Sequence, residues 1–146
     1  MGIAEHPPFN FLINTSYFMK KVKAPSGKHE PAFLDDIKED GYHVYSLKNA
    51  KIPNFYPPEL PNYPGVSINS LEIGDVITIR IFFGIGKGKN MRIDGGVIDL
   101  KVEEVHTESV MANILTVLPD KFPLKAGGSI EIFEDEILYK ADSRYN

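Results

Sequence analysis

Two stretches of this chain open a strand in the same way, and together they limit the fold more than any other feature. They are Leu71-Glu-Ile-Gly-Asp-Val-Ile-Thr-Ile79 and Leu124-Lys-Ala-Gly-Gly-Ser-Ile-Glu-Ile132. In each, a glycine stands three residues after a leucine, and apolar positions then alternate. Glycine in that place turns the backbone through positive φ without a Cβ clash. The alternation after it is the period-2 signature of a strand with one buried face. Between them, Val76, Ile77, Ile79, Ile81, Phe82 and Phe83 make a strong strand. Val97 to Val105 and Ser109 to Val117 read as an antiparallel pair, and Glu136 to Tyr139 is a final segment. Several short strands separated by turns predict an α+β chain that is mostly β: an antiparallel bent sheet or small, partly open barrel with one short N-terminal helix.

The first 65 residues have a different texture. Phe9, Phe11 and Ile13 alternate with polar residues and suggest a short strand over 9–13. A helix is expected from Glu30-Pro31, with Phe33, Leu34 and Ile37 on one side and Gly41 as its stop. Tyr42 to Leu47 is a second strand candidate. Residues 53–65 carry five prolines and predict an extended connection, neither helix nor strand. Gly84 to Gly96 reads as a loop. At 146 residues a single domain is expected. Residues 1–65 would cover one end of the barrel with the helix and the Pro-rich strap, and 66–140 would form the meander or barrel itself.

Composition excludes more than it assigns. There is no Cys, so disulfides and thiolate chemistry are out. The four histidines, His6, His29, His43 and His106, lack any short ligand spacing, so neither a metal nor another cofactor is inferred. His43, inside a strand, reads as a half-buried structural histidine. A net charge of −4 argues against general nucleic-acid binding. No segment approaches the length of a membrane span, and the N-terminus has no basic, apolar leader. A soluble cytoplasmic protein is the expectation.

The candidate binding residues fall in three places. Gly84-Ile-Gly-Lys-Gly-Lys-Asn90 departs from phosphate-loop and dinucleotide patterns and reads as a hairpin loop with solvated lysines. With Arg80 and Arg92, its Lys87 and Lys89 make four cationic groups that could contact an anion or a partner. Glu103, Glu104 and Glu108 flank the turn of the second hairpin and could steer a basic partner. Tyr56 and Tyr63, in the Pro-rich run, are either a strap packed on the barrel or an aromatic anchor for another protein. The acids Asp35-Asp36, Glu39-Asp40 and Glu134-Asp-Glu136 read as solvated edge and turn charges. No hydrolase motif appears, so no catalytic residue is assigned.

Leu71-x-x-Gly-Asp-x-Ile-x-Ile, the paired strands through residue 117, Leu118-Pro and the second Gly-led strand ending in Glu-Asp-Glu-Ile137 carry a resemblance. Over residues 70–140 the chain resembles a group of small uncharacterised bacterial β-rich proteins, some of them toxin-associated. The resemblance implies a bacterial, non-enzymatic interaction role. The expected function is therefore a non-catalytic protein-binding domain, of the kind that acts as an immunity-type inhibitor of a toxin. The alternatives are a β-barrel module that binds a small anionic ligand, and a hydrolase or isomerase with a dispersed site.

Overall fold

The computed structural model describes residues 10–11, 33–52, 55–56, 60–86 and 90–141. Seven strands and one helix organise them. They are β1 (Asn10–Phe11), α1 (Phe33–Asp40), β2 (Tyr42–Val44), β3 (Val76–Ile85), β4 (Arg92–Val105), β5 (Ser109–Ile114), β6 (Ser129–Phe133) and β7 (Tyr139–Lys140). The sheet is antiparallel in the order β2-β3-β4-β5-β6, curled into an open half-barrel. β1 adds to β4 at Gly96 and Val97, and β7 adds to β3 at Ile77 and Thr78.

Both glycine-led strand openings behave as their spacing requires. Gly74 has φ 98° and Gly127 φ 91°, and each sits in a turn that launches a strand. Gly74 N–H donates to Val102 O and Gly127 N–H to Ile114 O, both at 2.8 Å, so each turn is pinned to the strand beside it. α1 ends where expected, with Gly41 N–H donating to Ile37 O at 2.9 Å.

β3 is buried on both faces, which explains its nearly unbroken apolar run. On the concave side, Ile77, Ile79, Ile81 and Phe83 meet Ile98, Leu100 and Val102 of β4, then Val110, Ala112 and Ile114 of β5. Ile68, Leu71, Leu118, Phe122 and Ile137 fill the trough, and Phe122 stacks on Phe83 with ring centroids 4.0 Å apart. On the convex side, Phe82, Met91 and Ile93 carry Leu34 and Ile37 of α1 together with Tyr45, Tyr56 and Leu138. Full burial of each of these larger side chains contributes about 1.5–3 kcal/mol. From the N-terminal region, α1, Tyr45 and Tyr56 thus cover the convex face, while β2 extends the sheet itself.

Several boundaries differ from those the sequence suggests, and β5 stops at Ile114, short of the expected Val117. The expected loop from Gly84 to Gly96 is mostly strand, since β3 runs to Ile85 and β4 starts at Arg92. Gly95 is a packing position, because a Cβ there would stand 2.9 Å from Phe82 Cδ1. We expect Gly95→Val to cost about 2–3 kcal/mol through overpacking; an unchanged urea midpoint would show that Phe82 moves aside freely. The strand expected over 42–47 stops at Val44, because Ser46 caps a short 3-10 turn, Leu47–Asn49. The last segment is displaced too: Glu134–Glu136 form a 3-10 corner, and the strand follows at Tyr139–Lys140.

Candidate functional site

Where the half-barrel stays open, its two edge strands β2 and β6 face each other across a cleft of about 220 Å³. Asp36 and Asp40 of α1, Tyr42, His43 and Val44 of β2, Glu131 and Phe133 of β6, and Glu136 of the corner line it. Among the described residues, four carboxyl groups thus border one seam, with no Lys or Arg in its lining. One end is shut by the 3-10 corner, which crosses toward β7. Ser46 Oγ donates to Asp135 there, and Ile68 N–H donates to Glu134 Oε2 at 2.8 Å.

His43 is the buried centre of a relay behind this cleft, only 9% exposed. Its Nδ1 lies 2.8 Å from Asp36 Oδ2 and its Nε2 2.9 Å from Tyr56 Oη. Tyr56 Oη also accepts the Ser46 N–H at 2.7 Å. Burial lowers the His43 pKa, outweighing the opposite pull of Asp36, so the ring is held neutral. A neutral imidazole has one N–H. Asp36 can only accept, so Nδ1–H donates to it and Nε2 accepts the Tyr56 hydroxyl proton. Burial also pushes the Tyr56 phenol well above its usual range, which keeps that proton in place. With both ring nitrogens engaged, the relay ties α1 and the Tyr56 segment to β2 and offers no free base to a substrate.

Among the described carboxyl groups, Glu136 is the most perturbed. Burial pushes its pKa up to about 7, against the opposing hydrogen bond from Phe133 N–H at 3.0 Å, and Asp135, Glu131 and Asp36 raise it further. Tyr42 beside it is raised as well, first by burial and then by Asp40, Glu136 and Asp36. The seam's lining, among the described residues, thus holds carboxyls without a Lys or Arg to offset them. Among the described residues, no group of three or more His, Cys, Asp and Glu side chains is placed to hold a metal ion.

The residues proposed from sequence are scattered by the fold. Arg80 is 3% exposed on the convex face, where its Nε and Nη2 donate to Tyr63 Oη. Arg92 lies on the opposite face, its Nη2 3.7 Å from Oδ2 of the buried Asp94. Burial raises the Asp94 pKa, against the pull of Arg92 and Lys121. These two arginines therefore do not form one anion site; Lys87 and Lys89 lie outside the described residues. Glu103, Glu104 and Glu108 are exposed around the β4–β5 turn, with Glu104 3.1 Å from the His106 ring. Tyr56 is buried and Tyr63 half-buried in the convex core, both packed against Tyr45.

Sequence reasoning passed over Asp36, Asp40, Glu131 and Glu136 as seam residues. Asp36 and Asp40 share α1, Glu131 stands alone between two isoleucines and Glu136 lies in the corner, and only the fold brings the three places together. No helix among the described residues is long and apolar enough to cross a membrane. Comparison with protein-family models, curated proteins and solved structures finds no match for this chain.

Proposed function

We propose that the chain is a non-catalytic protein-binding domain whose partner presents a basic surface. The observation that carries this reading is the filled concave face, where Ile68, Leu71 and Phe122 occupy the space a barrel-mouth ligand would need. What remains for recognition is the outside, and its open seam and exposed hairpin are both acidic. The engaged ring nitrogens of His43 argue against the hydrolase or isomerase alternative. The small-anion alternative loses support from the separation of Arg80 and Arg92. An immunity-type role against a toxin, in a bacterial cytoplasm, is part of the same proposal and draws on the sequence resemblance and the acidic composition.

Affinity capture with the purified chain, read by mass spectrometry, tests the proposal. A stoichiometric protein with a basic surface is the expected result, and a co-purifying small molecule in its place would overturn it. With the partner in hand, Glu103, Glu104 and Glu108 changed together to Gln should slow association about three- to tenfold at low salt, and less at high salt. An association rate equal to that of the parent would remove the hairpin from the interface.

A further inference from the structure

We infer that the seam is a slot for one extended basic segment, which inserts as an added strand between β2 and β6 and closes the barrel. This rests on the protein-binding reading above and specifies how the partner is held.

The argument begins with backbone parity. Gly84 N–H donates to Gly41 O and Tyr45 N–H to Arg80 O, so residues 41, 43 and 45 turn their peptide groups toward β3. Tyr42 and Val44 must then turn theirs away from the sheet. On the other edge, Ile114 N–H donates to Gly128 O and Glu134 N–H to Glu108 O, which directs the even residues of β6 toward β5. Glu131 and Phe133 therefore point their peptide groups outward. The Phe133 N–H is taken by Glu136 Oε1. No ladder among the described residues takes the outward groups of Tyr42, Val44 and Glu131. Tyr42, Val44, Glu131 and Phe133 all line the same cleft. Two unpaired edges facing one gap are a template for strand addition.

Direction and charge define the occupant. Successive strands in the order β2 to β6 alternate in direction, so β2 and β6 run the same way and a strand antiparallel to both would complete the alternation. Side chains on such a strand point alternately to the two faces. Those on the inner face meet Tyr42 and Val44, which pack on the concave core, together with buried Ile132. Those on the outer face meet Glu131, which shares the convex side with Met111 in the β5–β6 register, and Asp36 of the covering helix. The fitting segment alternates apolar and basic residues. A second copy of β6 is disfavoured, since pairing like edges would bring two Glu131 carboxylates together.

The test uses the full chain, isotope-labelled, and three end-capped hexapeptides: alternating Val-Lys, alternating Val-Glu, and Val-Lys with alternate peptide nitrogens methylated. Val-Lys should bind and slow hydrogen exchange at the Val44 and Glu131 amides at least tenfold, as ladder formation does. Val-Glu should not bind, and N-methylation should weaken Val-Lys at least tenfold by removing its ladder donors. Glu131→Pro removes the outward N–H and the carboxylate that accepts from Ser109 Oγ but no β5 ladder bond, whereas Glu131→Gln keeps the N–H and an oxygen for Ser109, so Pro should abolish binding that Gln merely weakens. Equal binding of the N-methylated peptide, unprotected edge amides in the complex, or no binding of Val-Lys would each overturn strand insertion. Partner capture would still decide the broader protein-binding reading, because it does not depend on the seam.

Discussion

Changing Tyr56 to Phe should destabilise the protein by about 2–4 kcal/mol, although it removes a single oxygen. The aromatic ring would keep its packing against Tyr45 and Phe82, with centroids 4.4 and 6.0 Å away. The loss falls on two buried groups, the Ser46 N–H and His43 Nε2, which both bond to the missing hydroxyl. An unsatisfied buried donor or acceptor costs about 1–3 kcal/mol, far more than a hydrogen bond exchanged evenly with water. The pH profile should move with it. Because the His43 pKa is lowered in the folded chain, the unfolded chain binds the proton first, and stability falls as pH drops below the ordinary value of 6.5. Without Tyr56 Oη donating to Nε2, the neutral ring loses its reward, so that acid-side fall should become shallower. Urea unfolding at pH 5.5 and pH 8 reads both effects. A change under 0.5 kcal/mol at pH 8 would mean that water replaces the hydroxyl and that the relay is not what ties the Tyr56 segment to β2.

How much of this could be read from the chain depends on whether the signal is local. The Leu-x-x-Gly openings announced the turns at Gly74 and Gly127 because a positive φ leaves its mark on one residue. The doubly apolar β3 was legible for the same reason, as Val76 to Phe83 has few other ways to be buried. Asp94-Gly-Gly misled because glycine pairs usually signal turns, whereas Gly95 makes room for Phe82 across the sheet. Nothing near residue 95 reveals that Phe82 is its neighbour. The relay is less local still: Asp36, the His43–Ser46 segment, Tyr56 and Asp135 lie apart in the chain, and only the closed fold brings them together. The seam needs one further step, since its acids become neighbours only when strand order makes β2 and β6 opposing edges.

Replacing Glu136 by Gln should stabilise the protein at pH 8 by about 2 kcal/mol, against the usual rule that substituting a hydrogen-bonded acid does harm. The carboxyl sits among Asp36, Glu131 and Asp135 and is half-buried, so the fold favours its neutral form and carries its pKa from 4.5 to about 7. The sign follows from proton counting. Between these two values the folded chain holds a proton that the unfolded chain has released, so stability falls as pH rises through the window. Its contribution is fully present below pH 4.5 and gone above pH 7. Gln keeps an oxygen for the Phe133 N–H and carries no charge, so it resembles the protonated acid at every pH. The melting temperatures of the two proteins should coincide at pH 4 and separate by about 4–8 °C at pH 8. His43 acts in the opposite direction on the acid side in both chains, so it cancels in the difference. If the gap at pH 8 is absent, the four acids of the seam are well solvated and the seam has no deficit of positive charge. A basic strand would then gain little by entering, which is why this melting experiment also weighs on the strand-insertion proposal before any peptide is made.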